Sequence, residues 1–459
     1  MQIETTDVLI VGGGVSGTAL GFVLGKYTPI QKIVVLEKND RLSAVNSHPL
    51  NNSQTSHDGG TETNYSLDHA LKIKQAAIYL RRYVESKVDS KLFRKTKRMV
   101  LGVGTTEIRK LEERFKIFSS HYPDLNLVYE SSLKEIEPKV MEGRSSEPVA
   151  AIVSDEGYAI DYQRLSKHFA VDAERTGRVE VRLKTKVLLV EKHEHNDANK
   201  CICDGAKWYI RTANYDETEK THVNYFAKVV VFAAGPYSLL FAQNLGYGLD
   251  FGILPVAGSF FSAGDILKNK VYRVQIEGRP FAEIHGDPDV LNEHDTRFGP
   301  TTKPLPLFER HHYETIWDFL KLPMVSWRGL KATIKILYQN KLFGYVLKNF
   351  IYDLPGIGRI LFLREARIIV PSMRLRDIKL RRGVGGIRPQ IVDLKTGNLL
   401  MGDATIIGEN IIFNTTPSPG ASVCLSNAKR DSKEIVKFLV NSKFDEEKFE
   451  SDLSEEIVC

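Results

Sequence analysis

Apolar and polar positions fall into blocks whose period changes along the chain. Asp7–Val11 is a short apolar run of the kind a buried strand requires, and Thr18–Leu24 carries apolar residues at helical spacing. Lys32–Leu36 is a second short apolar run. The spacing predicts helices over Asp68–Tyr83, where Ala70, Ile73, Ala77 and Leu80 share one stripe, and over 106–120, 165–176 and 423–440. Strands are predicted over 93–104, 179–183, 229–231 and 410–413, and 281–302 reads as strand, turn, strand.

Two polar stretches break the pattern. Leu42–Thr63 has no period and reads as a long loop, a length that usually serves function. Glu191–His222 clusters Asn, Lys, Asp and His and reads as an insertion in a surface hairpin. Its His193, His195 and His222 lack ligand spacing, so they are read as solvated and no metal site is expected. Val229–Leu249 carries no charge and is long enough for a membrane span. Gly235-Pro236 and Gly246–Gly248 interrupt it, so its start is read as a buried strand.

Composition adds bounds. The 459 residues, 42% hydrophobic and 26% charged, describe an ordinary globular chain of two to four domains, not a disordered or multi-span one. Cys201, Cys203, Cys424 and Cys459 are too scattered for a disulfide framework, which points to a reducing compartment. No leader-like segment precedes the first strand. The net charge of +6 is uneven: 14 Lys/Arg against Asp353, Glu365 and Asp377 give 321–382 a net +11, so the rest carries −5. One basic region on a mildly acidic body suggests an anionic partner at one face.

The candidate chemistry starts at the first strand. Gly12-Gly13-Gly14-Val15-Ser16-Gly17 is G-x-G-x-x-G directly after it, a helix follows, and the second strand ends in Glu37. Gly12 permits the tight turn, Gly14 lets the backbone approach a pyrophosphate, and Gly17 lets helix and strand pack closely. The helix N-terminus offers free N–H groups to phosphates. Glu37 can accept hydrogen bonds from a ribose and would repel a 2′-phosphate. The element binds FAD or NAD. FAD is favoured because further cofactor-type segments follow, including Ala234-Gly235 after a strand. Pro419-Gly420-Ala421-Ser422 opens a second helix whose N–H groups suit an electron-rich flavin edge. Ser16, Lys38, Thr55 and Val187 complete the candidate cofactor contacts.

The chain resembles the malate:quinone oxidoreductases, FAD enzymes of the superfamily that includes L-2-hydroxyglutarate dehydrogenase and glycine oxidase. The resemblance rests on Gly12–Gly17 with Glu37, Asn51–Tyr65, His285–Pro288, Phe298–Thr301, Gly385–Gln390 and Thr416–Ser422. It departs from the longer bacterial members at Ser53–Gly59, where those carry an Asn-Ala-Gly-Thr-Gly-His run. The resemblance implies an α/β fold with a glutathione-reductase-type Rossmann FAD-binding domain and an α+β substrate domain on an antiparallel sheet. The first is expected over 1–80, 155–250 and 385–445, the second over 81–154 and 251–384, with a charged tail at 446–459.

It also implies oxidation of (S)-malate to oxaloacetate with electrons passed to membrane quinone. Such chemistry needs a carboxylate anchor and a base. Of twelve histidines only His57 and His285 fall in the matching segments, and they are expected to be base and orienting partner in either order. Arg388 is the leading carboxylate anchor and Arg297 the second, because a dicarboxylate wants two cationic contacts. Gln54 and Thr55 are candidates to bond substrate or flavin. Two other readings stay open: a flavin dehydrogenase of another 2-hydroxy acid, such as lactate or 2-hydroxyglutarate, and a membrane-docked flavoprotein without turnover.

The basic region suits the same chemistry. Over Arg328–Phe350, Leu330, Ile334, Leu337 and Lys341 form one stripe and Phe343, Val346, Leu347 and Phe350 another, with Trp317, Trp327, Tyr338 and Tyr345 nearby. Basic amphipathic helices with aromatics lie in the plane of anionic membranes. Residues 313–382 are therefore expected to dock peripherally, on the cytoplasmic face of a bacterial inner membrane or on a mitochondrial inner membrane. No nucleic-acid motif accompanies the charge.

Overall fold

A computed structural model of the chain describes residues 2–193, 205–214, 223–276, 279, 283–339, 342–400, 404–415 and 419–454. The readings placed on Cys201, Cys203, His195, His222, Lys341 and Thr416–Ser418 lie outside these residues.

Two sheets organise the chain. The first contains β1 (Gln2–Val11), β2 (Ile33–Leu36), β6 (Val179–Arg182), β7 (Thr185–Lys192), β8 (Trp208–Asn214), β9 (Val223–Phe232), β17 (Thr405–Gly408) and β18 (Ile411–Asn414). Strands β6, β2, β1, β9 and β18 run parallel side by side, while β7 and β8 extend from β9 as an antiparallel meander. Helix Val15–Tyr27 returns the chain from β1 to β2, as the fingerprint requires. Its Ala19, Leu20 and Val23 pack with Val8, Ile10 and Val35 in one apolar core.

The second sheet is almost wholly antiparallel. It contains β3 (Phe93–Val103), β4 (Leu125–Tyr129), β5 (Val149–Ile160), β10 (Phe251–Ser262), β11 (Lys270–Arg273), β12 (His285–Pro288), β13 (Thr296–Pro304), β14 (Lys379–Leu380), β15 (Ile387–Asp393) and β16 (Asn398–Leu399). Among the described residues only its β3–β11 pair is parallel. Because β15 pairs with β10, the chain re-enters the first sheet at Thr405 and not near 385. Likewise β5 carries the second sheet to Ile160, past the expected change at 155.

Other differences have simple causes. The expected surface insertion contains a real strand, β8, whose Trp208, Ile210 and Thr212 are buried while the residues between them are not. The uncharged stretch from Val229 is the end of β9 followed by helix Pro236–Asn244. No helix of the described residues is long and apolar enough to cross a membrane. The amphipathic region forms helices Trp327–Gln339, Leu342–Tyr352 and Ile357–Ile369. In the first of these Ala332 and Ile336 pack beside Leu254 and Val392. Leu330, Ile334 and Tyr338 point outward instead, so the outward stripe ends in Tyr338 where Leu337 was expected.

Candidate active site

A cavity of about 610 Å³ runs between the two sheets. Its floor is the turn from β1 into helix Val15–Tyr27. Gly17 is required by packing, since a Cβ there would sit 1.9 Å from the Gly12 carbonyl oxygen. Gly14 is different: a Cβ would meet only Ser47 Oγ, at 3.5 Å, and would project into the cavity that Gly14 lines. Nothing among the described residues needs glycine at that position, which suits a backbone that must leave room for a phosphate group. Glu37 directly follows β2, and its Oε2 accepts the Gly13 N–H at 2.8 Å while Oε1 accepts the Asn39 N–H at 2.9 Å. Its carboxylate thus braces the glycine turn as well as lining the cavity. Gly12, Ser16, Lys38, Val187, Ala234, Gly235 and Pro419–Ser422 line the same space.

The cavity's other wall is the 49–62 loop, and the second sheet holds it from behind with buried cations. Arg98 on β3 donates to the Ser56 carbonyl at 3.1 Å and to Asp58 Oδ2 at 2.5 Å. Lys270 on β11 pairs in register with Arg98 and donates to the Ser53 carbonyl at 3.2 Å and to Thr55 Oγ1 at 3.0 Å. Arg297 on β13 donates to the Pro49 carbonyl at 3.1 Å. From the first layer's side, Ser422 Oγ accepts the His57 N–H at 2.9 Å, tying the second helix start to the loop. A loop whose carbonyls are pinned by ionised donors is a stiff wall.

His57 lines the cavity, and its Nδ1 lies 2.6 Å from Glu62 Oε1. Burial alone would raise the Glu62 carboxyl. The His57 hydrogen bond, the His57 ring and the Arg98 guanidinium, 3.8 Å away, override it and bring the carboxyl down to about 2. An ionised Glu62 accepts the Nδ1 proton, which fixes the tautomer with a lone pair on Nε2. Nε2 has no hydrogen-bond partner among the described residues.

Arg388 projects from β15 into the same cavity. Its guanidinium makes no ion pair or hydrogen bond among the described residues, and enclosure in the cavity pushes it below its ordinary value against the opposing influence of Tyr65 and Tyr345. A desolvated guanidinium without a counter-ion is a ready receptor for a carboxylate.

The structure does not bring every sequence candidate here. Gln54 is fully buried with φ +58°; it donates to Pro49 O and Asp289 Oδ1 and accepts from the Val290 N–H. Arg297 is also fully buried, facing Asp289 at 3.7 Å and the Phe260 ring at 5.0 Å. Neither lines the cavity, so Arg297 does not supply the second cationic contact expected for a dicarboxylate. His285 lies a layer deeper, with Nδ1 3.1 Å from the Glu283 carbonyl and Nε2 3.0 Å, off the hydrogen-bond axis, from Asp287 Oδ2. Asp287 stays ionised: Lys270 and His285 outweigh the burial that would raise it. Both His285 nitrogens therefore face acceptors, and neither is left to take a substrate proton. Thr55 lines the cavity, but its hydroxyl is engaged by Lys270 and Tyr272. Gly17 lies beneath the cavity, where its packing role puts it.

Glu62, Arg98 and Lys270 escaped the sequence reading. Glu62 stood five residues after His57 in a segment with no helical or strand period to pair them. Arg98 and Lys270 become neighbours only through the β3–β11 pairing.

The two-sheet arrangement with a glycine-turn cavity is the fold of known flavin-dependent oxidoreductases. L-alpha-glycerophosphate oxidase from Mycoplasma pneumoniae, solved with FAD bound, superposes with a TM-score of 0.61 at 20% identity over 95% of each chain. Glycine oxidase from Geobacillus kaustophilus gives 0.63 at 16% identity over 95% of each chain. The sequence narrows the assignment. The family model described as malate:quinone oxidoreductase matches residues 4–457. The malate:quinone oxidoreductase of Helicobacter pylori (strain ATCC 700392 / 26695) is 35% identical over 98% of both chains. The probable malate:quinone oxidoreductase of Campylobacter jejuni is 34% identical over 99% of this chain and 100% of its own. The chain belongs to the malate:quinone oxidoreductase family.

Proposed function

We propose that the chain binds FAD in this cavity, oxidises (S)-malate to oxaloacetate and passes the electrons to quinone. The observation that carries this reading is the pairing, in one cavity, of a glycine turn built for a phosphate with an unpaired, half-buried guanidinium and a histidine poised by a carboxylate. Gly12, Gly14, Ser16, Glu37, Lys38 and Val187 would hold the nucleotide part; Thr55, Ala234, Gly235 and Pro419–Ser422 would hold the rest. FAD, when bound, supplies the acceptor for the C2 hydride. Arg388 binds a substrate carboxylate and so orients C2. His57 Nε2 takes the hydroxyl proton, and Glu62 holds the ring while its charge rises. The test is the visible spectrum of purified protein under anaerobic conditions. A flavin band that bleaches on addition of (S)-malate, and less readily with lactate or 2-hydroxyglutarate, is the expected result; a flavin band unmoved by malate overturns the reading.

The same reading includes an anionic bilayer at residues 313–382. Trp327 and Phe343 are 77% and 72% exposed, and Trp317, Ile334, Leu347 and Ile360 are exposed with them. An apolar face of this extent, beside 321–382 with its net +11, is complementary to anionic lipid, and quinone is lipid-soluble. Sedimentation with anionic vesicles is expected to weaken as salt rises. Reversing charge at Lys331, Lys335 and Arg359 together should leave most of the protein in the supernatant; undiminished pelleting sinks this part.

A further inference from the structure

The nucleotide half of the cavity is bridged by side chains from both layers. Lys38 follows Glu37 off the end of β2, and Tyr237 stands in the first turn of helix Pro236–Asn244. Glu309 comes from the opposite side, five residues beyond the end of β13. Lys38 Nζ is ion-paired with Glu309 Oε1, and Tyr237 Oη donates to the same oxygen at 3.1 Å. Lys38 Nζ also lies 4.6 Å from the Tyr237 ring centroid. Burial and the Glu309 carboxylate hold the Tyr237 hydroxyl well above its ordinary range, so it remains a donor.

The strut that presents Glu309 is stiff. Phe308 is fully buried, with its ring perpendicular to that of Tyr237 at 5.0 Å. Thr315 Oγ1 accepts the N–H groups of Phe308 and Glu309 at 3.2 and 3.4 Å. Lys38, Tyr237, Phe308 and Glu309 all line the cavity. The Glu309 side chain is 9% exposed and that of Lys38 34%, so the pair is half-sheltered and its net contribution to stability is small. Opening it one partner at a time is costly, and that asymmetry is what a latch requires.

We propose that Lys38, Tyr237 and Glu309 form a latch across the nucleotide half of the cavity, and that its opening governs how fast a bound dinucleotide leaves. The inference rests on the reading that this cavity holds FAD. The latch draws together the two layers between which the long ligand is threaded, so release requires the Lys38–Glu309 contact to part.

The FAD-loaded protein is diluted with a phosphodiesterase that converts released FAD to the brighter FMN, and the rise in fluorescence gives the release rate. Glu309→Gln and Lys38→Met are each expected to speed release about tenfold or more, and the double variant no further, because both remove one shared contact. Tyr237→Phe, which keeps the ring, should speed release by a smaller factor and serves if either charge variant fails to fold. Release within twofold of the parent in these variants overturns the latch. So does a double variant whose effect is the product of the singles, since Lys38 would then act on the ligand without Glu309. A parent that takes up no FAD refutes the cofactor reading and the latch together; a parent that holds FAD while the variants release it at the parent's rate refutes the latch alone.

Discussion

Arg388→Lys is expected to lower kcat/KM for malate about a hundredfold while leaving bound flavin in place. Lysine keeps the charge but loses the planar fork that grips both carboxylate oxygens. The loss of a desolvated, charge-assisted pair costs about 3 kcal/mol, which is about two decades in rate at 1.4 kcal/mol per decade. The effect should be large here because no carboxylate among the described residues pairs with Arg388, so the substrate carboxylate would be its salt-bridge partner. Steady-state kinetics with the flavin-to-protein ratio measured alongside checks it. Retained activity would show that another group anchors the acid, and loss of flavin would show that Arg388 supports the cavity and not the substrate.

His57→Gln should act on a different constant. General-base catalysis is worth about 10²–10⁴ in rate, so kcat should fall by about that factor with KM little changed. Glutamine retains the size and a hydrogen bond toward Glu62 but cannot accept the hydroxyl proton. Glu62→Gln should give a smaller loss in the same constant, since the ring remains but its 2.6 Å anchor loses its charge. His285→Gln, by contrast, should lower stability more than kcat, because both its nitrogens are already committed to Glu283 and Asp287. If His285→Gln stops turnover in well-folded protein while His57→Gln does not, the assignment of base is reversed.

The first sheet was legible because its signal is local. β1, the glycine turn, the helix and Glu37 lie within forty residues and each carries its own pattern. Much of the second sheet was not legible, for a physical reason. β5 and β10 are buried on both faces over most of their length, so they show no alternation, and their partners are distant in sequence. The site was half legible on the same grounds. His57 and Arg388 were found because they stand in or beside segments that carry the family resemblance. Gln54 and Arg297 stand in such segments too, yet the fold turns them onto Asp289, and sequence does not reveal that a polar side chain has already found its partner.

Helix Leu342–Tyr352 has two faces with different neighbours. Outward it shows Phe343 and Leu347; inward, Asn349 Oδ1 accepts the N–H of Thr302, a residue of the cavity wall, at 2.8 Å. Tyr345, on the same helix, stands close enough to Arg388 to bear on its charge. The helix thus backs a residue of the cavity wall on one side and faces the surrounding fluid on the other. Solubilising agents that soak into the outer face press on the chamber's own wall, so turnover constants should track the choice of detergent or lipid even when malate and flavin are held saturating.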